Sequence, residues 1–147
     1  MLAVLFYSCK SIPNPNQEYM YVMIYDYYNN GVKNVSIYLD DKIIGRTDVY
    51  GRFSFPIKND NSKHTLSLQK DNYEKITDTI FYTRNEVLYY KMGESFFYFE
   101  EAEKQFDSKN YDYALKNIKK ALTIEKRKDY EYMKNLIEKK LEKETAE

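Results

Sequence analysis

The chain has 147 residues, enough for one medium domain or two small ones, each able to bury a core without disulfides. Lysine and arginine number 23 against 23 aspartate and glutamate, so no whole-molecule field exists to concentrate nucleic acid, and no nucleic-acid partner is expected. The 17 Tyr and 8 Phe, with no Trp, match the Lys- and Asn-rich bias of an AT-rich genome, with an aromatic binding face as the alternative.

In chain order, residues 1–8 form an uncharged apolar run that stops at Cys9, short of the roughly 20 residues needed to cross a bilayer. Residues 6–9, Phe-Tyr-Ser-Cys, resemble a bacterial lipobox, in which a small residue precedes a cysteine that is diacylated and becomes the mature N-terminus. Ser8 fits that pattern, whereas Phe6 and Tyr7 match only its looser forms. The preceding run resembles the end of a signal-peptide apolar region whose charged leader would lie upstream of Met1. The resemblance implies lipidation at Cys9 and a membrane-anchored place in the cell envelope, facing the periplasm or the exterior. Residues 10–17, with two prolines, read as a tether, so 1–17 form a leader, anchor and tether segment. The alternative is an ordinary buried or tail cysteine. A single cysteine forms no internal disulfide and says nothing of compartment.

Residues 18–28 are rich in Tyr, Val, Ile and Met and end at Asn29-Asn30-Gly31, which tolerates positive φ and predicts a turn. Val35, Ile37 and Leu39 alternate with polar partners up to Asp40-Asp41, and residues 42–47 follow, which predicts a hairpin. Phe53, Phe55 and Ile57 form another inward face, and Leu66 with Leu68 a further one before a turn at Asp71-Asn72. Runs at 76–83 and 86–92 complete seven short strands, spaced as in a β-sandwich.

The stretches 31–40, 45–55 and 64–73 resemble the carboxypeptidase regulatory-like domains, a prealbumin-type β-sandwich, with PEGA domains a close second. The likeness spans roughly residues 19–91 and centres on Thr47, Asp48, Gly51 and Phe53. It implies a structural or binding module without catalytic groups. The same residues have a purely local explanation: Thr47 and Asp48 bond the backbone of a tight turn, Gly51 supplies positive φ, and Phe53 starts the next inward face.

From Met92 the apolar spacing changes to three and four, with Met92, Phe96, Phe99, Ala102 and Phe106 on one predicted helical face. After a polar break at 107–110, a second stripe runs through Tyr111, Ala114, Leu115, Ile118, Ala121, Leu122 and Ile124. A third, after 126–129, runs through Tyr130, Met133, Ile137 and Leu141. Small Ala114 and Ala121 permit close helix approach. Residues 102–125 resemble a tetratricopeptide repeat, with Tyr98 and Ala102 at plausible family positions and Lys126 where the family has proline. That resemblance implies packing or partner binding through Tyr98, Ala102, Phe106, Tyr111, Ala114, Ile118 and Ala121. Stable arrays need about three repeats, so this segment must dock on the sandwich, pair with another chain, or stand as a solitary cap. A plain helical hairpin is the simpler alternative, and the charged run 138–147 reads as a solvated end.

His64 is the only histidine and has no second histidine or cysteine to hold a metal with it. With four glycines in all there is no phosphate-cradling loop. Asp40, Asp41 and Asp60 sit at turns without the regularly spaced oxygens a calcium loop needs. The Asn34-Val35-Ser36 glycosylation match is placed inside a strand. No catalytic residue, metal, cofactor or small-molecule ligand is expected. The reading is α+β: a seven-stranded prealbumin-like β-sandwich at 18–91 followed by a three-helix, tetratricopeptide-like segment at 92–147. Its expected function is that of a non-catalytic envelope adaptor for a protein partner. The alternatives are a carbohydrate- or peptidoglycan-binding module using Tyr25, Tyr27 and Tyr38, and an accessory domain of an envelope hydrolase.

Overall fold

Strand β1 (Tyr19–Tyr25) turns Met20, Val22 and Ile24 inward and tyrosines outward, the period-two pattern of a half-buried strand. The computed structural model describes residues 17–58 and 61–145; Cys9 and nearly all of the proposed tether lie outside the described residues. β2 (Ser36–Leu39) and β3 (Lys42–Arg46) follow, joined by Asp40 and Asp41 at φ 48° and 62°. Positive φ at both central residues defines the two-residue hairpin turn whose twist matches that of paired strands. Four more strands complete the set: β4 (Arg52–Pro56), β5 (Lys63–Gln69), β6 (Ile76–Phe81) and β7 (Val87–Lys91).

The seven strands form two sheets, a three-stranded one ordered β4-β1-β7 and a four-stranded one ordered β3-β2-β5-β6. β1 and β7 pair in parallel, and the other pairs are antiparallel. The inward faces share one core, in which Met20, Val22, Ile24, Val35, Ile37, Leu66 and Leu68 are fully buried. The architecture is β-sandwich-like.

The corner between β3 and β4 is built by side chains bonding to backbone. Thr47 is buried; its hydroxyl donates to the Val32 carbonyl at 2.7 Å and accepts the Val35 N–H at 2.9 Å. Asp48 Oδ1 accepts the N–H groups of Tyr50 and Arg52 at 2.9 and 2.8 Å, while Gly51 has φ +76°. Phe53 is half-buried, its ring lying where a Cβ on Gly45 would fall, so the missing side chain of Gly45 makes room for it. Asn34 lies at φ 58° in the turn before β2, so the glycosylation match begins outside the strand, contrary to expectation.

Helices α1 (Ser95–Asp107), α2 (Tyr111–Ile124) and α3 (Lys128–Thr145) come after β7 and bury a second apolar cluster of their own. Ala114, Ile118, Ala121, Tyr130 and Ile137 are fully buried there. One expectation is corrected: Met92 does not open the first helical stripe. It is fully buried in the sandwich core and its N–H donates to the Tyr25 carbonyl at 2.9 Å, which continues the strand ladder. Phe96, placed on the same stripe, is 47% exposed, and the buried face of α1 carries Ser95, Tyr98 and Ala102 instead.

Candidate functional site

The helices dock on the sandwich through a polar seam centred on Glu74, in the β5–β6 connection. Its Oε1 accepts the Gly93 N–H and the Tyr98 hydroxyl, each at 2.7 Å, and its Oε2 pairs with Lys120 Nζ at 2.7 Å. The Lys120 ammonium also lies 4.2 Å from the Tyr98 ring centroid, a cation–π contact. Burial pulls the Glu74 carboxyl upward, but the bonds from Lys120, Tyr98 and Gly93 outweigh it and hold its pKa below the ordinary value. Burial pushes the Tyr98 phenol upward, and its bonds to Tyr27 and Glu74 add to the shift, so it stays protonated as a donor.

Neighbouring bonds extend the seam. Ser95 donates its N–H to the Asn72 carbonyl at 2.8 Å and its hydroxyl to Glu125 at 2.7 Å, so the first residue of α1 touches both the sandwich and the end of α2. At the other edge Tyr27 stacks on Phe97 with centroids 4.6 Å apart, and Tyr28 meets Phe97 edge-on and donates its hydroxyl to Glu100 at 2.9 Å. Of the three fates open to the helical segment, the described structure shows docking on the sandwich.

Of the helix residues singled out in the sequence, Tyr98, Ala102, Ala114, Ile118 and Ala121 are buried, while Phe106 and Tyr111 are half-buried, their rings 5.3 Å apart across the α1–α2 turn. They pack helix on helix, with Tyr98 also reaching the sandwich at Glu74, and leave the outward aromatics, Phe96, Tyr113 and Tyr132, to solvent. The tyrosines named for glycan binding do not form one platform. Tyr27 is engaged by Phe97, Tyr25 is half-buried, and Tyr38 lies half-buried on the outer face of the four-stranded sheet.

His64 does meet partners that its isolation in the sequence conceals. Its Nδ1 lies 2.7 Å from Asp40 Oδ2, its Nε2 lies 3.2 Å from Ser62 Oγ, and its ring stacks on Tyr82 at 4.0 Å. Ser62, just before β5, and His64, within it, are two apart at the start of that strand, and the hairpin turn sets Asp40 against His64. The order of atoms is that of a serine–histidine–aspartate relay. Asp40 Oδ1 also accepts the Thr65 N–H at 2.9 Å, so the carboxylate bonds both to the histidine and to the strand beside it, and its pKa is lowered chiefly by the His64 bond. This reads as a clamp on the hairpin tip. Hydrolysis of p-nitrophenyl acetate by the intact chain is accordingly expected to equal that of Ser62→Ala; a rate lost with the hydroxyl would make Ser62 a nucleophile.

Sequence reasoning did not find Glu74, Lys120 or Ser95, because isolated polar residues carry no periodic signal. Among the described residues no group of three or more His, Cys, Asp or Glu side chains is placed to hold a metal, and no helix is long and apolar enough to cross a membrane.

No protein family matches the chain, and no curated protein does. Among solved structures, one titled "The Bacillus anthracis TIE protein" is similar over 53% of this chain and 16% of that chain, at 13% identity and a TM-score of 0.41. The chain thus spans a small part of that neighbour's length. Fold and seam together define an α+β chain, in which two sheets of a β-sandwich-like unit carry three docked helices.

Proposed function

We propose that this chain is a non-catalytic adaptor of the bacterial cell envelope, anchored by a lipid on Cys9 and recruiting a protein partner. In this reading residues 1–17 are leader and tether, 18–91 a prealbumin-like sandwich of the carboxypeptidase regulatory type, and 92–147 a tetratricopeptide-like hairpin with a capping helix. The observation that supports it is the seam. Glu74, Tyr98 and Lys120 hold the helices on the sandwich at fixed orientation, and Tyr113 and Tyr132 remain 60% and 69% exposed on α2 and α3. Exposed aromatic rings on a rigid support are the side chains that interfaces favour.

The anchor is tested in the bacterial host by globomycin, which blocks removal of lipoprotein signal peptides. An unprocessed, membrane-bound form is expected to accumulate, and Cys9→Ser is expected to reproduce it. Unchanged mobility together with a product in the soluble fraction would sink the anchor. A carbohydrate-binding sandwich is the second reading, supported by Tyr38 and Tyr73 bordering a groove on the outer face of the four-stranded sheet.

A further inference from the structure

The outer face of the four-stranded sheet carries a groove of about 540 Å³ whose lining follows from strand register. Ser36 on β2 pairs with Arg46 on β3 to one side and with Gln69 on β5 to the other. Directly paired residues project from the same face, so a guanidinium, a hydroxyl and an amide stand in one row across three strands. Adjacent strands lie about 4.8 Å apart, which makes that row roughly 10 Å long. Lys70 and Lys75 border the groove at the end of β5 and the start of β6, and Asn34 adds a second amide.

The charge here departs from that of the whole molecule. The chain is neutral, yet three cations line this groove against one carboxylate, Asp71. Elsewhere lysines and arginines find acids: Lys120 pairs with Glu74, Arg127 with Asp129, Arg84 with Glu18 and Lys134 with Glu138. Among the described residues no ion pair engages Arg46, Lys70 or Lys75, and the Lys70 ammonium rests 4.2 Å from the Tyr73 ring centroid. Just beyond the lining, Glu94 and Lys33 act on Lys70 with opposite sign, the carboxylate more strongly than the ammonium, so the cations of the groove itself set its charge. The side chains of Asn34, Ser36, Tyr38 and Gln69 make no hydrogen bond within the described protein, so their donors and acceptors face the groove unspent.

Unpaired cations favour an anion, and a row of amides and hydroxyls beside tyrosine rings favours a ligand rich in hydroxyl groups. We propose that this groove binds an acidic saccharide. Its carboxylate or phosphate groups are held by Arg46, Lys70 and Lys75, and its hydroxyls by Asn34, Ser36 and Gln69. The inference rests on the carbohydrate reading of the sandwich and is independent of the lipid anchor.

The test is calorimetric titration of the intact chain with polygalacturonate, phosphomannan, neutral dextran and poly-L-glutamate. Binding of polygalacturonate or phosphomannan but not dextran is expected, and the better of the two identifies the acid group. Arg46→Ala with Lys75→Ala should weaken it roughly tenfold or more, the effect of losing two charge-assisted contacts. Lys116→Ala with Lys119→Ala, which removes equal charge from exposed positions on α2, should leave it unchanged. Equal binding of poly-L-glutamate, or equal loss in the α2 variant, would reduce the effect to unspecific charge and overturn the proposal. Dextran binding that is insensitive to Arg46 and Lys75 would overturn it while leaving the carbohydrate reading standing. Failure of all three glycans would end both.

Discussion

Gly51→Ala is expected to lower the melting temperature by roughly 10 °C, a large effect for a single added methyl group. Two causes act together. Gly51 has φ +76°, where an L-residue with a Cβ is strained by about 1 kcal/mol. The added Cβ would also fall 2.2 Å from the Ile24 carbonyl oxygen and 2.8 Å from the Val32 nitrogen. Both are backbone atoms, so no side chain can swing aside. Relief would require parting the bonds Ile24 N–H to Gly51 carbonyl, 2.8 Å, and Val32 N–H to Ile24 carbonyl, 2.9 Å, which tie β1 to the corner. Strain plus two weakened buried bonds gives about 3 kcal/mol. Gly51→Asn separates the causes, since asparagine tolerates positive φ but carries the same Cβ. It is expected to be nearly as damaging. A fall of under about 3 °C for Gly51→Ala would show that the corner yields, and that close backbone approach does not set its shape.

The corner was legible because turn chemistry is local. Asp48, Gly51 and the Asp40-Asp41 pair each announce their backbone geometry within a few residues, and the alternation of Val35, Ile37 and Leu39 announces the strand that leads into the hairpin. The helix phase was less so. Met92 and Phe96 are four apart and satisfy a helical stripe, yet Leu88, Tyr90 and Met92 are two apart and equally continue a strand. The ladder bond from Met92 to Tyr25 decides for the strand. The run Phe96-Phe97-Tyr98-Phe99 compounds the ambiguity, because four adjacent aromatic rings are compatible with any helical phase. Tyr98 faces inward because its hydroxyl finds Glu74, a partner 24 residues away that hydropathy cannot reveal. The parallel pairing of β1 with β7, the meeting of Asp40 with His64, and the cation-lined groove share that cause. Each joins residues far apart in sequence whose own patterns are silent about their partners.

Glu74→Gln is expected to loosen the helices from the sandwich by about 2 kcal/mol, seen as faster amide exchange at the start of α1 and in the β5–β6 connection. The carboxylate serves three donors at once, and the neutral amide keeps at best one good acceptor for them. Lys120 is 41% exposed at its side chain, so water absorbs part of the loss and the estimate stays below that for a sealed ion pair. Lys120→Met should cost less, because it spares the Tyr98 and Gly93 bonds. The double variant should cost less than the sum of the singles, since the two residues share one contact. The pH dependence has a definite sign. A carboxyl whose folded pKa lies below the ordinary 4.5 contributes stability that is complete above 4.5 and is lost as pH falls through the folded value. The parent should therefore converge on Glu74→Gln in acid and stand furthest above it near neutrality. A gap that persists unchanged below pH about 3 would mean that the ionised carboxylate is not what holds the seam. In that event the packing of Tyr27 and Tyr28 on Phe97, with the Ser95–Asn72 bond, would have to carry the docking, and Phe97→Ala would become the more damaging change.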